Sequence, residues 1–119
     1  MTKRIFITGA GGFIGAHLAA ACLKRGDAVL GFDHFTGYYS PEYKRARVKA
    51  LQVPIVEGNI LDQPLFTKTV ETFQPTHFVH LAAQPGVRGV DKELYRQNNI
   101  EAFLQVVGCC KAIPGIKFL

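Results

Sequence analysis

At 119 residues, with 48% hydrophobic and 19% charged side chains, the chain has the length of one domain and can bury a core. Its formal charge of +5 suits anionic ligands, but the main basic run, Lys44-Arg45-Ala46-Arg47-Val48-Lys49, lacks the interleaved aromatics of single-strand binders and reads as a solvated helix face, which argues against nucleic acid. Cys22, Cys109 and Cys110 form neither a metal-spaced set nor an even disulfide framework, and no apolar run is long enough to span a bilayer, so the expectation is a cytoplasmic protein with no membrane partner.

The first stretch, Lys3 to Thr8, is continuously apolar in its middle, as a central parallel strand covered on both faces requires. It breaks into Gly9, Gly11, Gly12 and Gly15 and then becomes helix-periodic, a strand, tight turn and helix in succession. Free backbone amides at the start of such a helix, at the positive end of its dipole, bind anions, and glycines let a pyrophosphate approach without meeting a Cβ. An incidental glycine-rich turn is the competing reading, and the neighbours must decide. Ile14, Leu18 and Cys22, with Ala21 beside them, predict the buried face of this helix, and Gly26 its stop.

Ala28 to Phe32 reads as a second strand ending in Asp33, eighteen residues after Gly15, close to where a dinucleotide fold places its ribose-binding carboxylate. A carboxylate there accepts from the ribose hydroxyls and repels a 2′-phosphate, which favours NAD over NADP; a plain turn residue is the alternative. His34 opens an irregular aromatic loop, and Ser40-Pro41-Glu42 predicts a capped helix to about Leu51. Val53 to Glu57 is a third strand. In the turn after it Asn59 is placed to bond an adenine and Ile60 to cover its flat face, and Asp62 caps a helix over 63–73.

A fourth strand runs from His77 to Leu81, with His77 and His80 read as structural. The turn Ala82-Ala83-Gln84-Pro85-Gly86-Val87-Arg88 is built of small residues that admit a ligand; Arg88 is either an anion clamp or a surface cation. The last helix, from about Glu93 to Lys111, is expected to carry Tyr95, Asn99 and Phe103 on one face, where the Asn99 amide either satisfies backbone groups or reaches a cofactor. Residues 116–119 begin a fifth strand. Alternating strands and helices predict an α/β Rossmann-type parallel sheet of order 3-2-1-4-5, with the ligand crevice between strands one and four.

Thr8-Gly9-Ala10-Gly11-Gly12-Phe13-Ile14-Gly15 resembles the T-G-x-x-G-F-I-G signature of the extended short-chain dehydrogenase/reductase family, which includes nucleotide-sugar epimerases and dehydratases. Gly31-Phe32-Asp33-His34, Tyr38-Tyr39 with Lys44 and Arg47, and His80-Leu81-Ala82-Ala83-Gln84 with Gly86-Val87-Arg88 look most like its UDP-glucuronate 4-epimerase branch, although that branch usually has asparagine at 34, aspartate at 59 and alanine at 85. The resemblance implies NAD held by the glycine turn, Phe13, Ile14, Asp33, His34, Asn59, Ile60, residues 81–84 and Asn99. It implies a nucleotide-sugar substrate near Val87 and Arg88, and C4 epimerisation through a transient keto sugar. The family's catalytic Y-x-x-x-K does not occur in the 119 residues, so the expectation is an N-terminal cofactor-binding segment, inactive alone, whose exposed fifth-strand edge favours a homo-oligomer. A non-catalytic dinucleotide sensor, or a 4,6-dehydratase or reductase of the same family, is the alternative.

Overall fold

The computed structural model describes residues 2–36, 40–85, 89 and 91–119. In chain order the elements are β1 (Arg4–Thr8), α1 (Phe13–Arg25), β2 (Ala28–Asp33), α2 (Pro41–Ala50), β3 (Ile55–Glu57), α3 (Gln63–Phe73), β4 (His77–His80), α4 (Lys92–Arg96), a π-helical turn (Gln97–Glu101), α5 (Ala102–Lys111) and β5 (Lys117–Phe118). The strands form one parallel sheet in the predicted order β3-β2-β1-β4-β5, with Thr8 paired to Phe32 on one side and to His80 on the other.

The period of two along β1 builds both sides of the core. Ile5 and Ile7 face a cluster with Ala19, Cys22, Val29 and Val48, while Phe6 faces the opposite one with Phe32, Phe66, Phe78 and Val106. In the second cluster the Phe6 ring stacks on Phe78 at 5.0 Å and meets Phe66 edge-on at 6.0 Å. Helix ends follow the local chemistry. Gly26 closes α1 in the left-handed region at φ 99°, the Ser40 side chain accepts from the Tyr43 amide, and the Asp62 carboxylate accepts from Leu65.

Three expectations are corrected. In α1 the buried residues are Gly15, Ala16, Ala19 and Cys22, whereas Ile14 is 69% exposed and Ala21 is exposed. The helix lies so close to β1 that only small side chains fit beneath it, so its sheet-facing stripe is a row of small residues rather than large aliphatic ones. The last helix is not one continuous α-helix. A π turn at 97–101 adds a residue to one turn and rotates the remainder of the helix, so Ala102, Val106 and Cys110 are buried while Tyr95 and Phe103 are exposed.

The basic run of α2 is only partly a solvated face. Lys44 is buried, the Arg45 guanidinium lies 4.9 Å from the Phe35 ring centroid, and Arg47 lies 5.6 Å from that of Phe13. Among the described residues no helix is long and apolar enough to cross a membrane, and no cluster of His, Cys, Asp and Glu could hold a metal.

Candidate functional site

The C-terminal ends of β1, β2 and β4 open onto one cleft of about 410 Å³. Gly9 and Gly12 line it from the first turn, Phe13, Ile14 and Gly15 from the start of α1, Asp33 from the end of β2 and His34 just beyond it, Asn59 and Ile60 from the turn after β3, and Leu81, Ala82, Ala83 and Gln84 from the segment after β4. Two predicted site residues, Gly11 and Asn99, stand behind this lining and hold parts of it in place. The expected substrate residues Val87 and Arg88, with Gly86, lie outside the described residues.

The glycines serve different needs. Gly9 turns the chain at φ +72°, and a Cβ there would meet the Ala82 nitrogen at 2.7 Å; a Cβ on Gly15 would meet the Gly9 oxygen at 2.2 Å. Both are demanded by the chain's own packing. At Gly12 the one near atom is the Gly9 oxygen at 3.3 Å, and the remaining space is open. Gly12 is therefore the glycine whose missing side chain leaves room for a ligand.

Helix α1 starts with neither a side-chain cap nor an acidic residue in its first turn, and its first i→i−4 bond is donated by Ala16 to Gly12. The amides of residues 13–15 precede that bond, so a positive helix end faces the cleft, where an anion satisfies it.

Asp33 bridges the turn and the loop beyond β2. Its Oδ2 accepts the Gly11 amide at 2.8 Å and its Oδ1 accepts the Phe35 amide at 2.7 Å. A carboxylate offers about four lone-pair sites, so these two bonds fix its orientation and leave an acceptor site on each oxygen for a ligand diol. Asn59 spends its Oδ1 on the Leu61 amide at 3.0 Å, which shapes the turn and keeps Ile60 buried against the cleft.

On the β4 side, the fully buried Thr8 hydroxyl accepts the amides of Leu81 at 3.1 Å and Ala82 at 3.2 Å and lies 2.6 Å from His80 Nδ1. Burial lowers the His80 pKa below its ordinary 6.5. The Asn99 carboxamide grips the backbone of Gln84 twice: Oδ1 accepts its amide at 2.6 Å and Nδ2 donates to its carbonyl at 3.1 Å. Of the two roles open to Asn99, the structure shows the backbone one. Its neighbour Asn98 donates to Gln84 Oε1 at 3.2 Å, a pairing the π turn permits by bringing consecutive residues toward the same loop.

Sequence reasoning missed Lys44, Thr36 and Asn98 among the lining residues. Lys44 is 7% exposed and its Nζ donates to the Thr36 carbonyl at 3.2 Å, which places a cation at the cleft wall. The signal was present. Lys44 precedes the buried Val48 by four residues, so the two share the sheet-facing stripe of α2. Asn98 stands beside Asn99 in the segment Asn98-Asn99-Ile100, but that both side chains reach one loop does not follow from the sequence, because a π turn is not written in helical periodicity.

Residues 5–119 match the family model described as NAD dependent epimerase/dehydratase family. The chain is 47% identical over 113 residues to UDP-glucuronate 4-epimerase 6 of Arabidopsis thaliana, covering 91% of this chain and 25% of that protein. It is 38% identical over 89 residues to a probable UDP-glucuronate 4-epimerase of Rhizobium meliloti, covering 71% of this chain and 26% of that protein. Among solved structures it is similar to the UDP-glucuronic acid 4-epimerase of Bacillus cereus in complex with NAD, with a TM-score of 0.83 and 36% identity over 96% of this chain and 38% of that one. The chain thus spans about a quarter of the length of the curated relatives it matches.

Proposed function

Because the chain belongs to the NAD dependent epimerase/dehydratase family, we propose that its cleft holds NAD and that it is the cofactor-binding segment of a nucleotide-sugar epimerase. The observation that carries this reading is one cleft with an uncapped helix start at the glycine turn and a fixed carboxylate at the end of the next strand. The residues present fit the dinucleotide. The amides after Gly12 take the pyrophosphate, the spare acceptor sites of Asp33 take the adenosine ribose hydroxyls, and Asn59 with Ile60 flanks the adenine. The Leu81–Gln84 segment, held by Thr8 and Asn99, walls the other half of the cleft.

When bound, NAD supplies a reversible hydride acceptor for C4 of the sugar. The chain's own share is binding and orientation. Tyr43 is followed at the fourth position by Arg47, is 63% exposed, and is absent from the cleft lining, so it is no substitute for a catalytic tyrosine. With no Y-x-x-x-K in its 119 residues, the chain binds cofactor and does not turn over alone. The substrate we propose for the longer enzyme is a UDP-sugar such as UDP-glucuronate, with Arg88 as the anion clamp. Titration with NAD tests the cofactor half. For the substrate half, a longer protein containing this chain is assayed on UDP-glucuronate, UDP-glucose and dTDP-glucose; preference for the first is expected, and a 4,6-dehydrated product from the last overturns the assignment.

A further inference from the structure

We propose that His80 is a positioning residue for the cleft: as the neutral Nε2–H tautomer it orients the Thr8 hydroxyl to hold the Leu81 and Ala82 amides against the glycine turn, and protonation of the ring releases that hold. The inference rests on the NAD reading for its consequence, though not for its geometry.

The tautomer follows from counting protons. Two backbone N–H groups can only donate: the Ala82 amide donates to Thr8 Oγ1, and the Leu81 amide is shared between Oγ1 and the Thr8 carbonyl at 3.2 Å, so both lone pairs of the hydroxyl are taken. The hydroxyl keeps one proton, and His80 Nδ1 at 2.6 Å receives it, so Nδ1 is unprotonated and the ring proton sits on Nε2. A protonated ring presents an N–H to an oxygen with no free lone pair and strands the hydroxyl proton in a fully buried site. Either the bond from Ala82 then gives way or the Leu81 amide falls back on the Thr8 carbonyl alone.

That loss reaches the ligand site directly. The Ala82 nitrogen and the Leu81 carbonyl carbon are the atoms packed closest against Gly9, at 2.7 and 2.8 Å from the position of a Cβ. Gly9 opens the turn that carries the amides of α1. Among the described residues the partners of His80 are otherwise uncharged: Thr8 on β1, the Phe103 ring at 5.9 Å on α5, and, just past β5, the backbone oxygen of Leu119, which accepts the His80 amide at 2.9 Å. At the far end of β4, His77 bonds Thr76. The hold is therefore complete above the ordinary histidine pKa of 6.5 and is lost as pH falls through the lowered value.

The test is a titration of the isotopically labelled 119-residue chain between about pH 8 and about pH 5, first by NMR without ligand and then by calorimetry with NAD. The expected spectrum shows His80 Nδ1 as an unprotonated ring nitrogen at neutral pH, with the Leu81 and Ala82 amide signals moving as the ring titrates. His80→Asn places an amide oxygen where Nδ1 stood and does not titrate, so those two signals stop moving. NAD affinity of the parent falls about fivefold across the range, and that of His80→Asn by less than about twofold. A protonated Nδ1 at neutral pH, Leu81 and Ala82 signals indifferent to the ring, or the same NAD profile in both proteins overturns the proposal. Absence of NAD binding at every pH refutes the cofactor reading instead, while the spectra still decide the hold. The spectra of the parent need no variant to fold.

Discussion

Gly15 and Gly12 separate what the fold needs from what a ligand needs. At Gly15 the atoms a Cβ would strike are backbone, the Gly9 oxygen at 2.2 Å and the Ala10 Cα at 2.9 Å, which cannot swing aside. The helix propensity gained by alanine, about 1 kcal/mol, is outweighed by overpacking of about 1–3 kcal/mol, so Gly15→Ala lowers stability in denaturant titration as well as NAD affinity. Gly12→Ala meets one atom at 3.3 Å and otherwise open cleft. It folds with a loss of about 1 kcal/mol or less, yet lowers NAD affinity by about tenfold. Equal stability losses in the two variants would contradict this division. Asp33 joins both needs in one side chain. Asp33→Ser removes two charge-assisted hydrogen bonds to Gly11 and Phe35 along with the ribose carboxylate. The expected outcome is weaker NAD binding, a narrower gap between NAD and NADP, and a stability loss of about 1–3 kcal/mol, measured by calorimetry and denaturation.

Among the elements, the π turn matters most to the site, since it carries Asn98 and Asn99 and presents both to Gln84. Asn99→Ala leaves the Gln84 amide and carbonyl without their partners. Hydrogen exchange at the Gln84 amide is expected to quicken by about tenfold while exchange in β1 is unchanged, and an unchanged Gln84 rate would show the grip to be dispensable. This element also marks the limit of what the sequence discloses. The five strands, their order, the caps at Ser40 and Asp62 and the stop at Gly26 follow from local chemistry, and the structure has them all. The buried faces of α1 and α5 do not follow. Periodicity weights large aliphatic residues, whereas close helix-to-sheet packing selects Gly15, Ala16 and Ala19 in one helix and Ala102 in the other. Lys44 escapes a sequence reading for a related reason. Its charge suggests solvent, but its aliphatic stem is buried and its ammonium bonds a carbonyl.

At the scale of the whole molecule, the sheet order brings the ends of β1, β2 and β4 to a single cleft, and most of the candidate site was legible because each strand end carries its own local signal. The three thiols are packing residues, with Cys22 and Cys110 buried and Cys109 half-buried: burial raises the pKa of Cys22 and Cys109 and pushes Cys110 up to about 11. Alkylation at neutral pH is therefore expected to be slow in the folded chain and fast for all three thiols in denaturant, and rapid labelling of Cys110 in the folded chain would contradict that packing. The central claim, that this cleft holds NAD, is tested most directly by calorimetric titration of the 119-residue chain with NAD and, separately, with NADP. The account predicts one NAD bound per chain and NADP binding weaker by about tenfold or more; no heat and no thermal shift at NAD concentrations on the order of millimolar would contradict it.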